Sequence, residues 1–220
     1  MKKALIFHGG WEGHEPDAVS QFFADALRKR GAAVTRCGSL DCLDDAEALL
    51  DFDLIMPCWT MGDLSEARFK NLDAAVSSGI GLGGFHGGMG DAFRGNLWYQ
   101  WLVGGQFVEH PEPRDYSVRL TPVAHPVTEG MPQRFDYHSE IYYMLVDPAN
   151  IVLAETDYHS NGRDFAVPVV WVKPWGKGKV FYSALGHQLQ EFIDYPVVTE
   201  MTLRGLQWAA SQKPLFPGSS

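Results

Sequence analysis

The first 85 residues alternate short apolar runs with amphipathic stretches, each stopped by a turn residue. No other feature of the chain narrows its fold as much. Residues 4–7 (Ala-Leu-Ile-Phe) form an apolar run closed by His8-Gly9-Gly10, the pattern of a strand buried on both faces. Residues 16–30 carry Val19, Phe22, Phe23, Ala26 and Leu27 on one helical stripe, and Gly31 stops them. Residues 33–36 read as a second strand, 44–50 as a short helix and 53–57 as a third strand. Residues 65–78, with Phe69, Leu72 and Val76, read as a helix. Residues 79–85 are a fourth strand running into Gly84-Phe85-His86-Gly87-Gly88. Strands interleaved with helices require right-handed crossovers and predict an α/β chain with a mostly parallel sheet.

The second half changes texture. Residues 116–120, 142–145, 151–155 and 167–172 read as strands separated by Pro- and Gly-rich connections. Residues 173–178 read as a hairpin loop, 179–185 as the returning strand and 196–210 as a closing helix. The expectation is one domain over residues 1–212, with an antiparallel insertion in its second half and a loose tail over 213–220.

Composition sets limits on partners and compartment. The net charge of −9, from 18 basic and 27 acidic residues, argues against a nucleic-acid backbone or an anionic membrane surface as partner. Three cysteines without framework spacing argue against a disulfide scaffold and for a reducing compartment. No segment approaches the roughly 20 apolar residues of a membrane span, so a cytoplasmic protein is expected. Exposed strand edges and the Trp-rich segment 98–101 are compatible with a homo-oligomer.

In α/β sheets, ligands lie at the carboxyl ends of the strands. His8, His14, His86 and His187 all fall at or just beyond predicted strand ends, and His138 and Glu140 precede a strand that can reach the same rim. His110, His125 and His159 read as surface or turn residues. The turn at His86 has the form of a nucleophile elbow: small residues permit a sharp bend that exposes the middle side chain beside a helix start. That middle residue is histidine, which suits a base, a metal ligand or a hydrogen-bond donor and is a poor choice for acyl transfer. Asp91 and Arg94, one helical turn apart, pair with each other or point into the pocket. Trp11 and Trp59, both beside strand ends, are the aromatic platforms best placed for a sugar ring. Cys58 reads as a small buried residue.

Several ordered motifs make the chain resemble the ThuA-like (trehalose utilisation) family, part of the class I glutamine amidotransferase-like superfamily. They are His8-Gly-Gly-Trp-Glu-Gly-His14-Glu15, Gly81-Leu-Gly-Gly-Phe-His-Gly-Gly-Met-Gly-Asp-Ala-Phe93, His125-Pro-Val-Thr-Glu-Gly-Met131, Asp136-Tyr-His-Ser-Glu-Ile-Tyr142, Gly178-Lys-Val-Phe-Tyr-Ser-Ala-Leu-Gly-His187 and Arg204-Gly-Leu-Gln-Trp-Ala-Ala210. The resemblance implies a three-layer α/β/α, flavodoxin-like fold and a link to carbohydrate metabolism. Amidotransferases carry a cysteine at the elbow; this chain carries His86, which disfavours a Cys-triad glutaminase.

The resulting expectation is a protein that uses trehalose or a related glycoside or keto-sugar, as a hydrolase, lyase or isomerase. His86, His187, Glu140 and His138 are its candidate catalytic residues; Trp11, Glu15, Trp59 and Asp91 are its candidate substrate-binding residues. His14, His86 and His187 are candidate ligands of a divalent metal, zinc or similar, with Glu15 or Glu140 as an added ligand. The alternative is a non-catalytic sugar-binding or regulatory module on the same scaffold.

Overall fold

A computed structural model describes residues 1–211. In it the apolar runs of the first half become the inner strands of a large sheet. In chain order the elements are β1 (Lys3–Gly10), α1 (Pro16–Lys29), β2 (Ala33–Cys37), the single-turn α2 (Ala46–Leu49), β3 (Leu54–Thr60), α3 (Glu66–Ser78), β4 (Gly81–Phe85), α4 (His86–Gly90) and α5 (Leu97–Val103). There follow β5 (Gly105–Glu109), β6 (Arg114–Leu120), β7 (Arg134–Ser139), β8 (Tyr143–Val146), β9 (Ile151–Ser160), β10 (Arg163–Trp175), β11 (Gly178–Ser183), α6 (Leu189–Asp194) and α7 (Pro196–Ala209). The tail expected over 213–220 lies outside the described residues.

Nine strands form one sheet in the order β2-β1-β3-β4-β11-β10-β9-β6-β7. The first five are parallel, and β10, β9, β6 and β7 continue the same sheet antiparallel. β5 and β8 pair separately. The inner parallel strands are covered on both faces, which is why β1, β3 and β4 read as unbroken apolar runs, whereas the edge strand β2 does not. Helices α1 and α7 pack together over β1, β4 and β11, while α2 and α3 pack together elsewhere on the sheet. Phe23, Phe85 and Phe192 meet at ring separations of 4.8–4.9 Å between α1, β4 and α6. The α/β/α expectation therefore holds, with an antiparallel extension of the sheet in the second half.

Local chemistry explains where sequence and structure differ. β9 and β10 run well past the expected 151–155 and 167–172, as a long hairpin closed by Asn161 and Gly162, both at positive φ. An Asn-Gly pair is the usual two-residue hairpin turn, and the polar residues beside it are strand residues facing water. β5 and β7 were not expected, because each is short with one exposed face. In β7, Tyr137 and Ser139 point inward while His138 points out, the two-residue period of any strand.

Candidate functional site

Four loops at the carboxyl ends of the strands bring His14, His86, Glu140 and His187 together. Each offers one donor atom, and these atoms all lie within 4.8 Å of one another. The imidazole rings are 5.0 Å (His14–His86), 4.9 Å (His14–His187) and 5.2 Å (His86–His187) apart, all near-perpendicular.

His14 ends a 3-10 turn that follows β1. Its Nδ1 is 2.8 Å from Thr60 Oγ1, at the end of β3, so Nε2 is the nitrogen left to face the cluster. Burial, aided by His187, holds its pKa down at about 4. His86 is the first residue after β4, with φ +41°, a left-handed conformation uncommon outside glycine. Its ring lies 3.9 Å from the Tyr142 ring, and neither ring nitrogen has a hydrogen-bond partner among the described residues. Burial pushes its pKa well below the usual range, with His14 and His187 adding to the effect. Close approach here depends on Gly87: a Cβ at that position would lie 2.1 Å from His14 Cε1 and 2.9 Å from the Tyr142 hydroxyl.

Glu140 follows β7 directly. Its Oε2 is 3.5 Å from His86 Nε2 and 3.3 Å from His187 Nδ1, and its Oε1 is 3.5 Å from His110 Nδ1. Burial alone would raise its pKa, but the imidazoles, His187 first, hold it below the usual carboxylate range. For His187 the balance runs the other way: burial works against its charge, and Glu140 overrides burial, so the pKa is raised. The contact between the two is an ion pair without good hydrogen-bond alignment. Beside these groups is a small, largely enclosed cavity lined by His14, Cys58, Thr60, His86 and His187. It has room for about one water-sized occupant.

The loop that presents His187 is held by two carboxylates. Glu191 accepts hydrogen bonds from the His187 N–H (2.9 Å), Ser139 Oγ and the Tyr137 hydroxyl, and that hydroxyl accepts from Gly186 N–H. Glu15 accepts from Leu189 N–H at 2.9 Å, tying the loop after His14 to the start of α6.

The remaining expected residues separate into two groups. Trp11, about half exposed, sets its ring edge-to-face 4.8 Å from His14 and so borders the cluster. Glu15 lies beside it as the tether just described. The structure does not bring in His138, which is exposed and paired with Asp115 at 2.7 Å. Trp59 packs over Gly9 and Gly62, its ring stacked 6.4 Å from Phe93. Asp91 is buried and paired bidentately with Arg94 at 2.5 and 2.8 Å, rather than pointing alone into a pocket.

Of the histidines read as surface or turn residues, His110 is exposed as expected while also lying near the cluster, and His125 is buried. His110 reaches Glu140, and His125 is buried against Trp208 at 4.8 Å. Sequence reasoning also passed over Thr60, Tyr142 and Glu191. Thr60 ends a strand on the same rim as His14, a signal that was available. Glu191 sits four residues past His187, where only the turn of the loop reveals its role.

The family model described as "ThuA: Trehalose utilisation" matches residues 3–209. Among solved structures, a ThuA-like protein from Bacteroides uniformis superposes with a TM-score of 0.78 at 22% identity, covering 94% of this chain and 91% of that one. A ThuA-like protein from Parabacteroides merdae gives 0.78 at 18% identity, over 98% and 92%. A β-galactosidase from Rahnella sp. R3 gives 0.59 at 18% identity, with 91% of this chain matching 32% of the enzyme. At these identities the likenesses speak to the fold. No curated protein matches the sequence. No helix among the described residues is long and apolar enough to cross a membrane.

Proposed function

We propose, because this chain belongs to the ThuA family of trehalose-utilisation proteins, that it is an enzyme acting on trehalose or a related glycoside or keto-sugar by proton transfer at the His14–His86–Glu140–His187 cluster. One observation carries the reading. Two buried imidazoles and one partly buried imidazole around one carboxylate have been driven in opposite directions, His14 and His86 toward the neutral form and His187 toward the charged form. Titratable groups separated in this way by their surroundings are the mark of an acid and a base at one site.

The chemistry that suits them is enolisation of a keto-sugar. A neutral imidazole takes the proton from the carbon beside the carbonyl, and the C–H electron pair moves toward the carbonyl oxygen. An electrophile beside that oxygen, here the protonated His187, stabilises the developing charge. Returning the proton to the former carbonyl carbon, while the hydroxyl on the deprotonated carbon passes its proton to the old carbonyl oxygen and becomes the new carbonyl, isomerises the sugar; expelling an oxygen substituent from the next carbon, with a proton supplied to it, gives elimination. Trp11 is placed to meet the apolar face of a ring at the rim. The Tyr142 hydroxyl, beside Gly87, is a further donor on the inner wall. A Cys-based glutaminase is not proposed, since His86 occupies the elbow and the Cys58 thiol, buried, is pushed up to about 12.

The second reading is a sugar-binding or regulatory module without turnover. It is favoured by the β-galactosidase likeness, in which this fold makes up about a third of a larger chain. Incubating the protein with a panel of 3-keto-glycosides in D2O, with trehalose as the carbonyl-free control, separates the two. Deuterium uptake at the carbon beside the carbonyl, lost in His86→Ala and in His187→Asn, is the expected result. Binding of the same sugars by calorimetry, with no exchange and no dependence on His86, would replace the enzyme by the module.

A further inference from the structure

The geometry points to His14, His86, Glu140 and His187 as the ligands of one divalent first-row transition ion, which supplies the electrophile that the reading above assigns to a proton on His187. The inference rests on that reading for the purpose of the ion, and on independent observations for its existence.

The first is convergence. Four donor atoms from four separate loops lie within 4.8 Å of one another. Four donors about 2.1 Å from a common ion in a tetrahedral shell are about 3.4 Å apart, so side-chain movements of up to about 1 Å complete the shell. The second is lack of partners: beyond 3.3–3.5 Å contacts with one another, His86 Nδ1 and Nε2, His187 Nδ1 and Glu140 Oε2 are buried with no hydrogen-bond partner among the described residues. Unpaired buried polar atoms are costly unless something unrecorded satisfies them. The third is space: the small, largely enclosed cavity lined by His14, His86 and His187 takes an occupant about the size of a water or an ion.

The donor set then selects the class of ion. Three imidazoles with one carboxylate suit zinc, iron, cobalt, nickel or copper and do not suit calcium or magnesium, which prefer oxygen shells. The surroundings match a metal site as well. Thr60 bonds His14 through Nδ1 and so directs Nε2 inward, as the outer partners of metal-bound histidines do. Glu191 fixes both the backbone of His187 and Ser139, the residue before Glu140, and thereby sets the distance between two ligands. Thr60 and Glu191 are thus positioning residues for the ion. When bound, the ion acts as a Lewis acid toward a substrate oxygen.

The test uses the full chain stripped with a chelator and titrated with Co(II). One cobalt per chain is expected, with the visible bands of a nitrogen-ligated ion. His14→Ala and His187→Asn should abolish the bands. Thr60→Val should weaken binding by about 10- to 100-fold while Thr60→Ser restores it. Thermal melts of the apo-proteins check that each variant is folded. Absence of bands in the folded wild type, or bands that survive both His14→Ala and His187→Asn, overturns the site. Activity supplies the remaining distinction. Turnover by chelated, metal-free protein would sink the ion and leave the proposed enzyme standing. Stoichiometric cobalt with no turnover of any sugar would sink the enzyme and leave the site.

Discussion

Gly87→Ala is the most informative single change, because it adds one methyl group and the structure says where that methyl goes. A Cβ at Gly87 would lie 2.1 Å from His14 Cε1, 2.4 Å from Nδ1 and 2.9 Å from the Tyr142 hydroxyl, where ordinary contact begins at 3.4 Å. The His14 ring must retreat by more than 1 Å. It is not free to do so, being bonded to Thr60 on one side and packed against Trp11 on another. Overpacking of this kind costs about 1–3 kcal/mol. Replacing glycine inside a helix returns roughly 0.5–1 kcal/mol. The net expectation is about 1–2 kcal/mol of lost stability, a fall in Tm of roughly 2–8 °C for a chain of this size. Gly88→Ala is the matched control. Its Cβ would meet Cys58 Cα at 3.3 Å, a shortfall of about a tenth of an ångström, so Tm should stay within about 2 °C of wild type. Thermal melts and cobalt titrations of both variants measure stability and the integrity of the cluster together. The packing argument is refuted if Gly87→Ala melts with the wild type and keeps its cobalt affinity, or if Gly88→Ala falls as far as Gly87→Ala.

Two other outcomes follow from the same coordinates. Burial, with Lys179 adding to it, holds His125 down at about 4 against an ordinary 6.5, so the fold binds its neutral form. The stability this contributes is fully present above about pH 6.5 and is lost as pH falls toward 4, about 2 kcal/mol by pH 5. Melting the wild type and His125→Gln at pH 7.5 and pH 5 should show the steeper fall in the wild type; parallel falls would count against the assignment. The two tryptophans at strand ends should also behave differently. Trp11→Ala, at a half-exposed position beside His14, should weaken sugar binding about 10-fold with little change in Tm. Trp59→Ala removes a ring packed over Gly9 and Gly62 and should instead cost stability, about 2–4 kcal/mol. Sugar titrations and melts of the pair would show the reverse if Trp59 were the platform.

How much of this was legible in the sequence depends on whether burial leaves a linear pattern. β1, β3 and β4 are buried on both faces, so each writes itself as a run of apolar residues. β7 buries only Tyr137 and Ser139, and its sequence looks like a loop. The same difference explains the site. His14, His86 and His187 are found by a topological rule, the carboxyl ends of strands, which needs no tertiary contact. Choosing between His138 and Glu140 needs the register of a strand the sequence did not disclose. His125 is buried only because α7 folds back to lay Trp208 over it, and His110 faces Glu140 only because β5 pairs with β8. Thr60 acts through one hydrogen bond across 46 residues, and Glu191 through several, those to Tyr137 and Ser139 spanning 54 and 52, for which no periodicity exists.

The elbow itself gives the strongest argument about what this scaffold has become. A turn that serves only the backbone would put glycine at a φ of +41°, and its neighbours at 84, 87 and 88 are glycines already. Histidine there accepts strain of about 1 kcal/mol and the further cost of an imidazole buried without partners. Both costs fall on a side chain aimed at the common centre of four loops, which is where strain at a functional turn belongs. The cysteine that could have served instead lies on the neighbouring strand and lines the same small cavity. Cys58 is buried under Gly88, and its thiol donates to the Pro16 carbonyl, so it cannot reach the rim as a thiolate. The turn therefore has the form of a nucleophile elbow with histidine, not a nucleophilic thiol or hydroxyl, at its centre. The residue it now presents is fit to take a proton or to hold an ion, and the cobalt titration decides which.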